Sequence, residues 1–157
     1  MPSSMNHSTL AARTLAAFAE EAAAIPVMTL RGGNAMDDGA PPPAFDAAAD
    51  AITDAYLEAF FWGVSHLDTR SWKHYLPPLI EYALRNAHES SLVVEALLTS
   101  FRPPDRDPPR LAALSTGQQV LITELLDLLA FGEESAHQEL ACQALEEWWV
   151  PSAIYRP

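Results

Sequence analysis

The sequence predicts an all-α fold: a single compact helical domain of about six helices. Apolar residues recur at helical spacing, as in Leu57, Phe60, Phe61 and Val64, or Val94, Leu97, Leu98 and Phe101. A capping box, Ser115 followed by Gln118, opens the longest leucine-rich run, and Gly132 closes it. A β-element at Val27–Arg31 has no visible second strand to pair with. The chain has 157 residues, 49% of them apolar, which suits one domain with a sizeable core.

Taken in order, residues 1–8 are polar and expected to be loose, and Thr9 to Ile25 reads as an alanine-rich helix capped by Ser8 or Thr9. Its expected apolar face is Ala11, Leu15, Phe18, Ala22 and Ile25, and Pro26 stops it. Residues 1–27 therefore form an N-terminal helix or extension, and 28–157 the helical domain. Arg31-Gly32-Gly33-Asn34 reads as a turn, or as a small anion-binding nest supported by Arg31. Pro41-Pro42-Pro43 stiffens the loop that follows.

A helix is expected over Asp46 to Val64. It would set Asp46, Asp50, Asp54 and Glu58 four residues apart in one acidic ridge. A solvated face is the plain reading of such a ridge; as a site it would present carboxylates to a cationic partner. A metal would need ligands from outside the ridge, which contains no histidine, so no metal or other cofactor is expected.

Asp68 or Thr69 can cap a short helix carrying Ser71, Trp72, His74 and Tyr75. Leu76-Pro77-Pro78 then reads as a helix–proline–helix corner near residues 69–86. His66 or His74 could act as acid and base with Asp68 as orienter and Ser65 or Ser71 as nucleophile, yet no motif fixes their geometry. Ser90 caps the next helix, to about Phe101. Arg102 to Arg110 holds four prolines in nine residues, a stiff connector whose arginines pair within the protein or grip anions. Ser115 to Phe131 is the central buried helix. A last helix runs from Glu133 to about Trp149, and a 100° step between Trp148 and Trp149 argues that one indole is exposed for a partner.

Twenty-one acidic against nine basic residues leave a net charge of −12, which argues against nucleic acid. No stretch has the roughly 18 uncharged apolar residues of a membrane helix. The N-terminal stretch lacks the pattern of a signal peptide, and one cysteine, Cys142, fits a reducing compartment, so the expected location is cytoplasmic.

The segments Thr29-Leu30-Arg31-Gly32-Gly33-Asn34, Asp54-Ala55-Tyr56, Ser71-Trp72-Lys73-His74-Tyr75-Leu76-Pro77, Arg102-Pro103-Pro104-Asp105 and Glu147-Trp148-Trp149 resemble a family of small, acidic, uncharacterised bacterial proteins. The resemblance runs from about Met28 and leaves the N-terminal helix outside. It implies a fold unit and a bacterial cytoplasmic setting, with no activity and no catalytic residue to carry over.

Two functions in different classes follow. The first is a non-enzymatic, acidic protein-binding module, immunity-like or adaptor-like, that neutralises or escorts a basic protein through Asp46, Asp50, Asp54, Glu58 and Trp149. The second is a small enzyme of unassigned reaction, with a pocket of Arg31, Asn34, His66, Asp68, Trp72, His74 and Tyr75. They part on whether Arg31, His66 and His74 surround one concave pocket. The oligomeric state is left open.

Overall fold

The computed structural model describes residues 2–103 and 109–156. Among them are nine α-helices and no strand. In chain order these are α1 (Pro2–Ala17), α2 (Ala19–Ala23), α3 (Leu30–Asp37), α4 (Asp54–Phe60), α5 (Thr69–Arg85), α6 (Leu92–Ser100), α7 (Pro109–Ala112), α8 (Thr116–Phe131) and α9 (Gln138–Ala144). A 3-10 segment, Phe61–His66, continues α4, and a π-helical turn, Leu145–Trp149, continues α9. The all-α reading holds, with more and shorter helices than the six expected.

The N-terminal region is helical from Pro2 and breaks at Phe18, so the expected loose start and single helix to Ile25 are corrected. Its inward face is Leu10, Thr14 and Phe18, one position round from the face expected; Leu15 and Ile25 are exposed. Thr14 is tolerated inside because its hydroxyl donates to the Leu10 carbonyl at 2.8 Å, which leaves only its methyl to pack. α1 packs on α5 and α8, joining the same core as the rest of the chain.

Arg31-Gly32-Gly33-Asn34 is neither turn nor nest: it lies inside α3, capped by the Thr29 hydroxyl, which accepts from Gly32 N. The glycines are there for proximity. A Cβ on Gly33 would stand 2.5 Å from the Gly63 carbonyl oxygen, and one on Gly63 would collide with the Leu30 carbonyl. α3 and the 3-10 segment therefore cross backbone to backbone, which outweighs the roughly 1 kcal/mol helix penalty of each glycine.

The expected helix over Asp46–Val64 is also corrected. Residues 39–53 contain no helix, and α4 begins only at Asp54, capped by Thr53. The four acids therefore share no ridge. α5 runs unbroken through Pro77 and Pro78, so there is no helix–proline–helix corner. Each proline costs about 3 kcal/mol in a helix interior, while burying Trp72, Tyr75, Leu76, Leu79, Ile80 and Leu84 returns about 1.5–3 kcal/mol apiece. Burial wins.

α6 is capped by Ser91, one residue later than expected. Of the proline-rich connector, residues 104–108 lie outside the described residues. α8 has the expected capping box, and Leu121, Ile122, Leu125, Leu126 and Leu129 are buried along it. Gln118, in that box, also donates to the Ala17 carbonyl at 3.0 Å, closing the end of α1. α9 starts at Gln138 rather than Glu133. Both Trp148 and Trp149 are buried, at 6% and 5% exposure, so the expected exposed indole is corrected. A π turn carries more residues than an α turn, which narrows the angle between neighbouring side chains and lets both face inward.

Candidate functional site

Chemistry-capable side chains are distributed over several places. The most buried group is a clasp that ties the long loop to α3 and α4. Arg31 on α3 donates from Nε (3.1 Å) and Nη2 (2.9 Å) to the two oxygens of Asp50, and from Nη2 to the Ala44 carbonyl. Asp50 also accepts from Asp46 N at 2.9 Å and from the Tyr56 hydroxyl at 2.8 Å; Tyr56 Oη accepts in turn from Arg31 N at 3.2 Å. The Asp50 side chain has 0% exposure. Burial pushes its carboxyl up, but Arg31, the Asp46 amide and the Tyr56 hydroxyl together hold it below the usual carboxylate range. Burial, and then the Tyr75 hydroxyl, push the Tyr56 phenol well above its ordinary value. Burial likewise raises Tyr75.

The remaining expected pocket residues disperse. His66 Nε2 meets Asp37 Oδ1 at 3.0 Å, tying the 3-10 segment to α3. His74 Nδ1 donates to the Glu21 carbonyl at 2.9 Å, holding α2 on α5. Asp68 caps α5 by accepting from Ser71 N. Trp72 Nε1 donates to Ser100 Oγ at 3.0 Å, and its ring lies under the Arg110 guanidinium, 5.8 Å away. Asn34 has a buried Oδ1 without a hydrogen-bond partner among the described residues. Arg31, His66 and His74 thus engage three separate partners, not one pocket. The expected partner-binding residues disperse as well. Asp50 is buried, Asp54 pairs with Arg85 (2.8 Å), Glu58 accepts from the Tyr82 hydroxyl (2.7 Å), Asp46 accepts from Ala49 N, and Trp149 donates to the Phe101 carbonyl (2.8 Å).

The chain does form a concavity, elsewhere. A cleft of about 720 Å³ opens between the 3-10 segment and α6. That is within the roughly 300–1,000 Å³ of ligand pockets. Val64, Leu67 and Leu111 form its buried floor; Trp62 and Leu92 stand on its rim, 58% and 55% exposed. Ser65, Thr99 and Ser100 add hydroxyls, and Asp37, Glu95, Arg102 and Arg110 add charge. Arg102 is bound bidentately by Glu147 at 2.6 and 2.8 Å. Arg110 turns inward to the Val64 and Leu67 carbonyls at 2.8 and 2.5 Å; burial lowers its pKa, opposed by the charge of Asp68. A second, more open hollow of about 640 Å³ lies between α1 and the end of α8, crossed by the Arg13–Glu124 pair at 2.8 Å.

Sequence reasoning passed over Trp62, Leu92 and Glu95. The available signal was Trp62 itself, an indole one position off the Leu57–Phe60–Phe61–Val64 stripe. Among the described residues, no group of three or more His, Cys, Asp or Glu side chains gathers to hold a metal, and no helix is long and apolar enough to cross a membrane.

Fold and site define an all-α domain, pinned by a buried ion-pair clasp and opened on one side by an amphipathic cleft. The chain belongs to a family of unknown function (DUF6714), whose model matches residues 6–153. That match begins well before Met28, where the resemblance was expected to start, and takes in most of α1, in keeping with the burial of Leu10 and Phe18. No curated protein and no solved structure matches the chain.

Proposed function

We propose that the protein is a non-enzymatic protein-binding module whose partner is a basic protein, in the manner of an immunity protein or an adaptor. The observation that carries this reading is where the acidic surplus sits. Arg13, Arg31, Arg85 and Arg102 are occupied by Glu124, Asp50, Asp54 with Glu81, and Glu147. Asp127, Glu133, Glu134, Glu139 and Glu146 are exposed and make no ion pair among the described residues. A surface of this sign attracts a cationic partner and speeds its encounter. The dispersal of Arg31, His66 and His74 into bonds that hold the fold favours binding over catalysis. A cytoplasmic setting fits the one cysteine, half-buried and unpaired.

The test is capture from native lysate at low and at high salt. The expected result is a basic protein retained at low salt and released at high salt. Retention of only acidic or salt-insensitive proteins would contradict the reading.

A further inference from the structure

We infer that the cleft between the 3-10 segment and α6 is the docking site for that partner, and that its occupant is a basic amphipathic segment. On this assignment, which rests on the basic-partner reading, the segment's apolar side chains seat between Trp62 and Leu92. Its lysines or arginines reach Asp37 and Glu95.

Two features support this occupant. The cleft pairs an apolar floor with a rim of one exposed indole and one exposed leucine, the arrangement of a binding hot spot, where an aromatic anchor stands beside a pocket. An amphipathic helix lays its apolar stripe into a groove of this kind.

Charge selects the sign of the occupant. Of the four charged side chains that line the cleft among the described residues, Arg102 is paired with Glu147, and Arg110, which keeps its charge, turns inward to the Val64 and Leu67 carbonyls with the charge of Asp68 acting on it. Glu95 makes no ion pair among the described residues, and Asp37 meets only His66. What the cleft presents to an incoming chain is therefore negative. An acidic segment would meet Asp37 and Glu95, while the two cations face Glu147 and the Val64 and Leu67 carbonyls.

The other indoles supply the contrast for the measurement. Trp72, Trp148 and Trp149 are buried, so Trp62 is the indole whose surroundings change when the cleft fills.

The experiment is a tryptophan-fluorescence titration of the full chain with a synthetic helical peptide of about 18 residues, leucine on one face and lysine on the other. Ionic strength is held near physiological, where charges more than about 8 Å apart are screened. The expected result is a saturable blue shift that Trp62→Phe abolishes. Leu92→Ser and Glu95→Lys are each expected to weaken binding about tenfold or more. Both residues are exposed at the start of α6, so the variants keep the fold. Glu20→Lys, on α2 and away from the cleft, is expected to leave binding within about twofold.

Equal weakening by Glu20→Lys and Glu95→Lys would overturn the cleft assignment while leaving a basic partner in place. Equal binding of a peptide with glutamate for lysine would overturn the charge complementarity. No binding to the unaltered chain would also remove the cleft assignment, and the salt-dependent capture then decides the wider reading by itself.

Discussion

At the scale of residues, Asp50 carries more of the architecture than any other acid. Its carboxylate holds Arg31, the Asp46 amide and the Tyr56 hydroxyl at once, with no exposed surface. Removing one member of a buried pair leaves the other charge uncompensated, so Asp50→Asn is expected to destabilise the protein by about 3 kcal/mol at pH 7, read by urea unfolding. The pH dependence has a definite sign. The folded carboxyl titrates below its unfolded value of about 3.9, so its stabilisation is complete above that value and is lost as pH falls through the folded pKa. Asp54 beside Arg85 and Glu147 beside Arg102 are shifted in the same direction, from more exposed positions. The unaltered protein should therefore lose stability steeply below about pH 4, and Asp50→Asn should show a shallower decline in that window. Parallel declines would contradict the role given to the clasp.

At the scale of elements, packing decided where the sequence was readable. α6 and α8 were legible because local and tertiary signals agree: a serine cap, a leucine stripe and, for α8, Gly132 at its end. Three elements were not legible, each because tertiary contact overrode local preference. Gly32-Gly33 looks like a turn in one dimension, and only the crossing with Gly63 makes it helical. Pro77-Pro78 looks like a break until the burial along α5 is counted. The acidic residues from Asp46 to Glu58 have helical spacing, but Asp50 is drawn inward by Arg31, nineteen positions earlier, so the chain there is a loop. The candidate site was less legible still, since its rim joins Trp62 to Leu92 and Glu95 from a separate helix. The glycine crossing yields a direct prediction. Gly63→Ala would drive a methyl group into the Leu30 carbonyl and is expected to cost about 3 kcal/mol, whereas Gly117→Ala, which meets nothing within 4 Å, should be close to neutral. Similar melting temperatures for the two variants would rule out the close crossing.

At the scale of the whole molecule, charge is the property that links composition to function. A net −12 on 157 residues is repulsive within the folded chain and attractive to any cation outside it. Internal ion pairs consume several of the nine basic side chains, which concentrates the negative balance at the surface around α8 and α9. On the proposed reading, long-range attraction and short-range docking divide the work: the surface field raises the encounter rate, and the cleft sets which segment stays. Arrangements of this kind show their salt dependence in association and much less in dissociation. The direct measurement is the association rate constant of the captured partner as ionic strength is raised from about 0.02 M to about 0.5 M. The account predicts a fall of about tenfold or more, with the dissociation rate nearly constant. An association rate indifferent to salt would contradict it.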